Sequence, residues 1–224
     1  YSAKIGKTDS YETTREKFEE CQKENIGFGW LFSFPHHVEK LEGINIEIAN
    51  KVLKTFDTGI ESVTSSNDAN DAIVINFKSK HRKPVIIQEI GRDKYHSELS
   101  SGTVEGVILS SIMSKMKSKR VYFIDEKLTH VHTELEIAIL NAMINLLNVN
   151  GQLFFTTHNS DVLDMNLPIH SYTFLKKENN KCVVIDPRTK FNKNDRKLKN
   201  EVLNDVFNTI PNTDEIDEIG YLNE

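Results

Sequence analysis

The sequence predicts an α/β protein built on a mostly parallel sheet with flanking helices, joined to a small mixed lobe and a helical stub. Three observations carry this expectation. Val121-Tyr122-Phe123-Ile124 is an uninterrupted apolar run of the kind buried on both faces of a parallel sheet. Val104, Val107, Ile108, Ile112 and Met116 precede it at helical spacing on one face. A second helical pattern over residues 134–147 then leads into another apolar stretch at 153–156. Helix alternating with buried strand points to a parallel sheet, because parallel neighbours need a crossover between them.

From the amino terminus, residues 9–25 read as a polar helix, with Asp9 or Thr13 as cap and Glu12 or Glu16 completing a capping box. Few apolar residues lie in it, so it reads as the stub of a longer helical arm that Gly27 and Gly29 break. Residues 44–78 carry short apolar stretches at 44–48 and 72–77, separated by polar turns such as Ser65-Ser66-Asn67-Asp68. They read as a small mixed lobe with strands at 73–77 and 85–90. The helix at 134–147 is apolar on most sides, through Leu135, Ile139, Leu140, Met143 and Leu146, which predicts that it is sandwiched; Asn150-Gly151 ends it. Residues 153–156, 172–175 and 182–185 read as further strands. The expected boundaries are an arm stub at 1–30, a mixed lobe at 31–95 and an α/β lobe at 96–224.

At 224 residues the chain can bury one substantial core, or a core plus a smaller lobe. An apolar share of 38% and a charged share of 27% are ordinary for a globular protein. No apolar run approaches the roughly 20 residues that span a bilayer. The chain opens YSAKIGKTDS, with neither a methionine nor a secretory leader, and reads as a fragment of a longer cytoplasmic protein without a membrane partner. Cys21 and Cys182 form no CxxC pair and no disulfide framework. A net charge of −5 gives no global attraction to nucleic acid. The basic clusters at 78–83 and 190–199 read as solvated surface.

Three stretches carry chemistry. The apolar run 121–124 is followed by Asp125 and Glu126, which places two carboxylates at the carboxyl end of a buried strand, where open α/β sheets bind ligands. In nucleotide hydrolysis one such carboxylate serves the magnesium ion and the other activates water. Leu99-Ser100-Ser101-Gly102-Thr103 leads into the helix at 104–116, and a helix amino terminus offers N–H donors to phosphate. Leu153-Phe154-Phe155-Thr156-Thr157-His158 is a short strand ending in a histidine that can hydrogen-bond a phosphate or the attacking water. Taken singly, each also reads as an ordinary feature: a polar strand end, a helix cap, an exposed histidine. Their order gives them weight.

Taken together, residues 99–103 resemble the ABC signature (LSGGQ in its common form), residues 121–126 resemble Walker B, and His158 resembles the switch histidine. The variant LSSGT, then FIDE, His132 and FFTTHNSDVLD is similar to the bacterial AAA-type ABC ATPases related to recombination and repair, many of them in abortive-infection and antiphage systems. The resemblance covers residues 95–211 and implies an ABC-type P-loop NTPase core. It implies that Ser100, Ser101 and Gly102 contact the γ-phosphate of ATP held by a partner protomer. Asp125 would serve Mg2+, Glu126 would be the catalytic base, and His158 would sense the γ-phosphate. Residues 159–164 would continue the switch loop. The implied function is ATP binding and hydrolysis at a homodimer or higher oligomer, with a toxin or nuclease as effector and contact with DNA left open.

Three departures accompany the resemblance. His130 is bulky where the dimer-facing loop after Walker B carries a small polar residue, and Ser101 stands where glycine is common. The phosphate-gripping Walker A loop is missing: Gly6-Lys7-Thr8 reads GKT, but GxxxxGK[ST] needs a glycine where this chain has Tyr1. His36, His37 and His81 lack companions at metal-ligand spacing, and the acidic run at 214–218 follows no buried strand. The rival reading is a non-hydrolysing scaffold of the same fold that holds a toxin or nuclease. The Asp125-Glu126 pair argues against it, because a scaffold needs no base.

Overall fold

A computed structural model describes residues 27–31, 39–41, 43–66, 72–90, 98–117, 120–128, 131–178, 181–190 and 197–221. The expected helix at 9–25, Gly6-Lys7-Thr8, His36, His37 and His130 lie outside them. The chain is mixed α/β and divides into two units, Tyr1–His158 and Asn159–Glu224. In the first, the elements run β1 (Gly27–Leu31), β2 (Glu39–Lys40), α1 (Ile46–Phe56), β3 (Ile60–Ser65), β4 (Ile73–Phe77), β5 (Val85–Ile87) and β6 (Glu89–Ile90). There follow α2 (Ser101–Lys115), β7 (Arg120–Asp125), α3 (Thr133–Leu146) and β8 (Gln152–Thr156). None of the described helices is long and apolar enough to cross a membrane.

Apolar alternation builds the small antiparallel sheet β3-β4-β5: Ile73, Ile75 and Phe77 of β4 are buried, with Ile60, Val63, Val85 and Ile87 beside them. The strands expected at 73–77 and 85–90 are there, the second broken into β5 and β6. The apolar stretch at 44–48 is instead the start of α1. Asn45 caps it, its side chain accepting from Ile48 N–H at 3.0 Å, and Ala49 and Leu53 bury one face. α2 packs on α1 at Gly106, where a Cβ would lie 2.9 Å from Leu53 Cδ2 and 3.2 Å from Phe56 Cγ.

The α2 helix was expected to be one-sided. It is buried almost all round, from Thr103 through Met113 with only Val104 partly exposed. Its two glycines, its serines and its β-branched residues are poor helix formers, so packing rather than propensity holds it. Filling the α1–α2 contact should therefore be costly. Gly106→Val is expected to lower stability by about 1–3 kcal/mol through overpacking. An unchanged urea midpoint would remove this account of the glycine.

The central sheet of the unit is wholly parallel, in the order β1-β7-β8, with Tyr122 and Ile124 of β7 buried. Gly27 and Gly29 both belong to β1, paired with Arg120 and Tyr122. β7, α3 and β8 form one strand-helix-strand crossover. Tyr122 Oη donates to Lys115 O at 2.6 Å, and Asn148 N–H donates to Met116 O at 3.0 Å. These bonds gather the carboxyl ends of α2 and α3, so both helices run back against the strands.

The second unit begins with a 3₁₀ turn, Ser160–Asp164, and contains the antiparallel hairpin β9 (Phe174–Glu178) and β10 (Lys181–Ile185). The strands expected at 172–175 and 182–185 thus exist, but pair with each other rather than extend the parallel sheet. Lys199, from α4 (Leu198–Leu203), donates to Asp161 Oδ1 at 2.5 Å and Asp164 Oδ2 at 2.7 Å. The hydrogen bond from Lys199 holds the Asp164 carboxyl below its ordinary range, and the two aspartates raise the lysine. α5 (Asp214–Asp217) carries the acidic run and is exposed.

Candidate functional site

β7 leaves the sheet at Asp125, and the strand register sets that residue opposite Thr156, the last residue of β8. Thr156 Oγ1 donates to Asp125 Oδ1 at 2.6 Å. The Glu126 N–H donates to Thr156 Oγ1 at 3.0 Å and to Thr156 O at 3.2 Å. Glu126 adopts a φ of +49°, a left-handed conformation that costs a residue with a Cβ roughly 1–2 kcal/mol. Its side chain meets His158, whose Nε2 lies 3.0 Å from Glu126 Oε1. A carboxylate oxygen accepts, so this contact is a hydrogen bond in the tautomer that carries its proton on His158 Nε2. The two side chains are 46% and 81% exposed, so the contact adds little stability and leaves the carboxylate within reach of a ligand.

Two contacts frame this end of the sheet. Lys127 Nζ lies 3.8 Å from Glu105 Oε1, with only 10% and 11% of the side chains exposed. This pair brings the start of α2 beside the residue that follows Glu126. Thr157 Oγ1 donates to Glu136 Oε1 at 2.5 Å, which joins the start of α3 to the end of β8. Two helix amino termini therefore meet the carboxyl ends of β7 and β8, and their dipoles favour negative charge there. His132 is the exposed residue before α3 and makes no side-chain cap bond.

Ser100 caps α2: its Oγ accepts from Thr103 N–H at 3.1 Å and lies 2.7 Å from Thr103 Oγ1. The N–H groups of Ser101 and Gly102 have no partner within the helix, as in any first turn. Gly102 differs from Gly106. A Cβ added there meets Phe56 Cδ1 and Ser100 Oγ only at 3.9 Å, ordinary contact. Crowding among the described residues does not require a glycine at 102.

Asp125, Glu126 and His158 are thus brought together, and Ser100, Ser101 and Gly102 stand on the helix whose start reaches the same end. Thr156, Glu136, Glu105 and Lys127 were not anticipated from the sequence. His81 is exposed in the β4–β5 turn. In the neighbouring basic cluster, Arg82 lies 3.6 Å over the Phe77 ring and donates to Glu98 O at 2.7 Å, a structural engagement. Among the described residues, no three acidic, histidine or cysteine side chains converge to hold a metal. No protein-family model and no curated protein matches the chain.

Proposed function

We propose that this chain is the carboxy-terminal part of an ABC-type P-loop NTPase, which binds and hydrolyses ATP at a composite dimer interface in the cytoplasm. The observation that carries the reading is the carboxylate pair at the carboxyl end of a central parallel strand, with His158, two residues past the end of the neighbouring strand, 3.0 Å from Glu126. Such strand ends bind ligands in open α/β sheets. The amino terminus of α3 beside it suits an anionic ligand. The reading requires a phosphate loop from polypeptide outside these 224 residues. Conformational switching in antiphage defence or DNA maintenance is the role proposed for the cycle, with a toxin or nuclease as effector.

The donor set fits a magnesium ion that arrives with nucleotide, because Mg2+ takes few protein ligands and keeps water and phosphate oxygens. Asp125 would hold it, directly or through water, and the ion would neutralise charge on the phosphate oxygens. Glu126 accepts a proton from the attacking water as the new O–P bond forms. The bond from γ-phosphorus to the bridging oxygen breaks, and its electron pair leaves with ADP. His158, carrying its Nε2 proton, donates to a γ-phosphate oxygen or to the water. Ser100 and the N–H groups of Ser101 and Gly102 meet the γ-phosphate presented by a partner copy.

Phosphate release from Mg·ATP by the full-length protein tests the reading. Turnover that rises more than linearly with protein concentration is expected, since the working site needs two copies. ATP-dependent dimerisation without turnover would favour the scaffold, and neither would end the nucleotide reading.

A further inference from the structure

We infer that Thr156 is a positioning residue whose hydroxyl aligns the metal-binding carboxylate and the water-activating one together. The inference rests on the ATPase reading above and deepens it. Thr156 Oγ1 spends its one proton on Asp125 Oδ1 at 2.6 Å and accepts from the Glu126 N–H at 3.0 Å. The first bond fixes the rotation of the Asp125 carboxylate. The second, shared with Thr156 O at 3.2 Å, holds the backbone of a residue at a φ of +49°. A glutamate adopts that conformation only where its surroundings enforce it. The enforced turn is also what carries the Glu126 side chain to His158. One hydroxyl on β8 therefore engages both the Asp125 carboxylate and the Glu126 backbone.

The competing account is that threonine simply suits a strand and satisfies its hydroxyl locally. Substitutions separate the two. Thr156→Val keeps the shape and removes the hydroxyl; Thr156→Ser removes the methyl and keeps the hydroxyl. If Thr156 positions the carboxylates, activity follows the hydroxyl. If it is structural, activity follows thermal stability.

The experiment uses the full-length protein with Mg·ATP and reads kcat, KM and melting temperature for each variant. A second readout needs no turnover: the Mg2+ concentration that half-saturates binding of a fluorescent ATP analogue, measured with Glu126→Gln in the background. Thr156→Val is expected to lower kcat about 10- to 100-fold, the usual scale for a group that orients a metal ligand. It should raise the half-saturating Mg2+ concentration several-fold, with KM for ATP at saturating Mg2+ little changed. Thr156→Ser should recover most of both losses despite its missing methyl. Equal impairment of Ser and Val, or a Val variant with unaltered kcat and Mg2+ dependence, overturns the inference while leaving the ATPase reading standing. A wild-type protein that turns over no ATP overturns both, through the reading on which the inference rests.

Discussion

Glu126→Gln in the full-length protein is expected to lower ATP turnover by about 10²- to 10⁴-fold, the range contributed by a general base, while ATP binding persists. The substitution is narrow by construction. The amide keeps the length and shape of the side chain, and its oxygen can still accept from His158 Nε2, which now lies 3.0 Å from Glu126 Oε1. The backbone conformation at a φ of +49° is equally strained for both residues, so folding stability should move little. Asp125 and its bond from Thr156 Oγ1 at 2.6 Å are untouched, and with them the expected metal ligand. Only the capacity to take a proton from water is removed. ATP should then accumulate unhydrolysed in a closed dimer, visible as nucleotide-dependent dimer in light scattering alongside phosphate release. Hydrolysis at near wild-type rate would show that Glu126 is not the base.

What the sequence made legible follows from which forces act locally. The run 121–124 is apolar without interruption and ends in two acids, so both the burial of β7 and the polarity of its exit can be read directly. β1 could not be read this way. Its Gly-Phe-Gly-Trp-Leu carries two strand-weakening glycines, and it forms by pairing alongside β7 from Gly27 to Leu31. Around the start of α1, Ile44, Ile46 and Ile48 alternate as in a strand, and the helical signal lies instead in the Asn45 cap and the Ala49–Leu53 spacing. The antiparallel direction of β10 follows from chain length alone: residues 176–181, between the expected strands at 172–175 and 182–185, are too few for the crossover a parallel pair needs.

The site divides in the same way. Asp125, Glu126 and His158 announce themselves as polar residues closing apolar strands. Thr156 does not, because its role depends on the register that sets it opposite Asp125. Glu105 and Lys127 lie far apart in the sequence, and only folding brings them to 3.8 Å. Glu136 likewise reads as an exposed first-turn acid of α3, yet it is buried beneath Thr157.

Ser100→Arg should abolish ATP turnover in the full-length protein while leaving nucleotide binding by each copy nearly intact. Ser100 stands at the head of α2, exposed, with its hydroxyl accepting from Thr103 N–H at 3.1 Å. A helix amino terminus donates only to a phosphate brought up to it, and in this reading that phosphate is gripped by another copy. At Gly102 an added Cβ would meet described groups no closer than 3.9 Å, so this end of the helix has room around it. Arginine at position 100 removes a good cap, at about 1 kcal/mol, and places a long side chain in the path of the closing partner. Closure therefore fails where binding does not. The decisive measurement mixes this variant with one whose phosphate-loop lysine is replaced. Each is inactive alone, for different reasons. In a mixed dimer one interface pairs the intact phosphate loop of the first with the intact residues 99–103 of the second, and the other interface carries both lesions. Random pairing at equal concentrations should restore about a quarter of the wild-type rate in a two-fold dimer whose sites act independently. ATPase rate plotted against mixing ratio should peak near equality. If subunits demonstrably exchange and the mixture is no more active than its components, Ser100 does not act across the interface and the composite site is excluded.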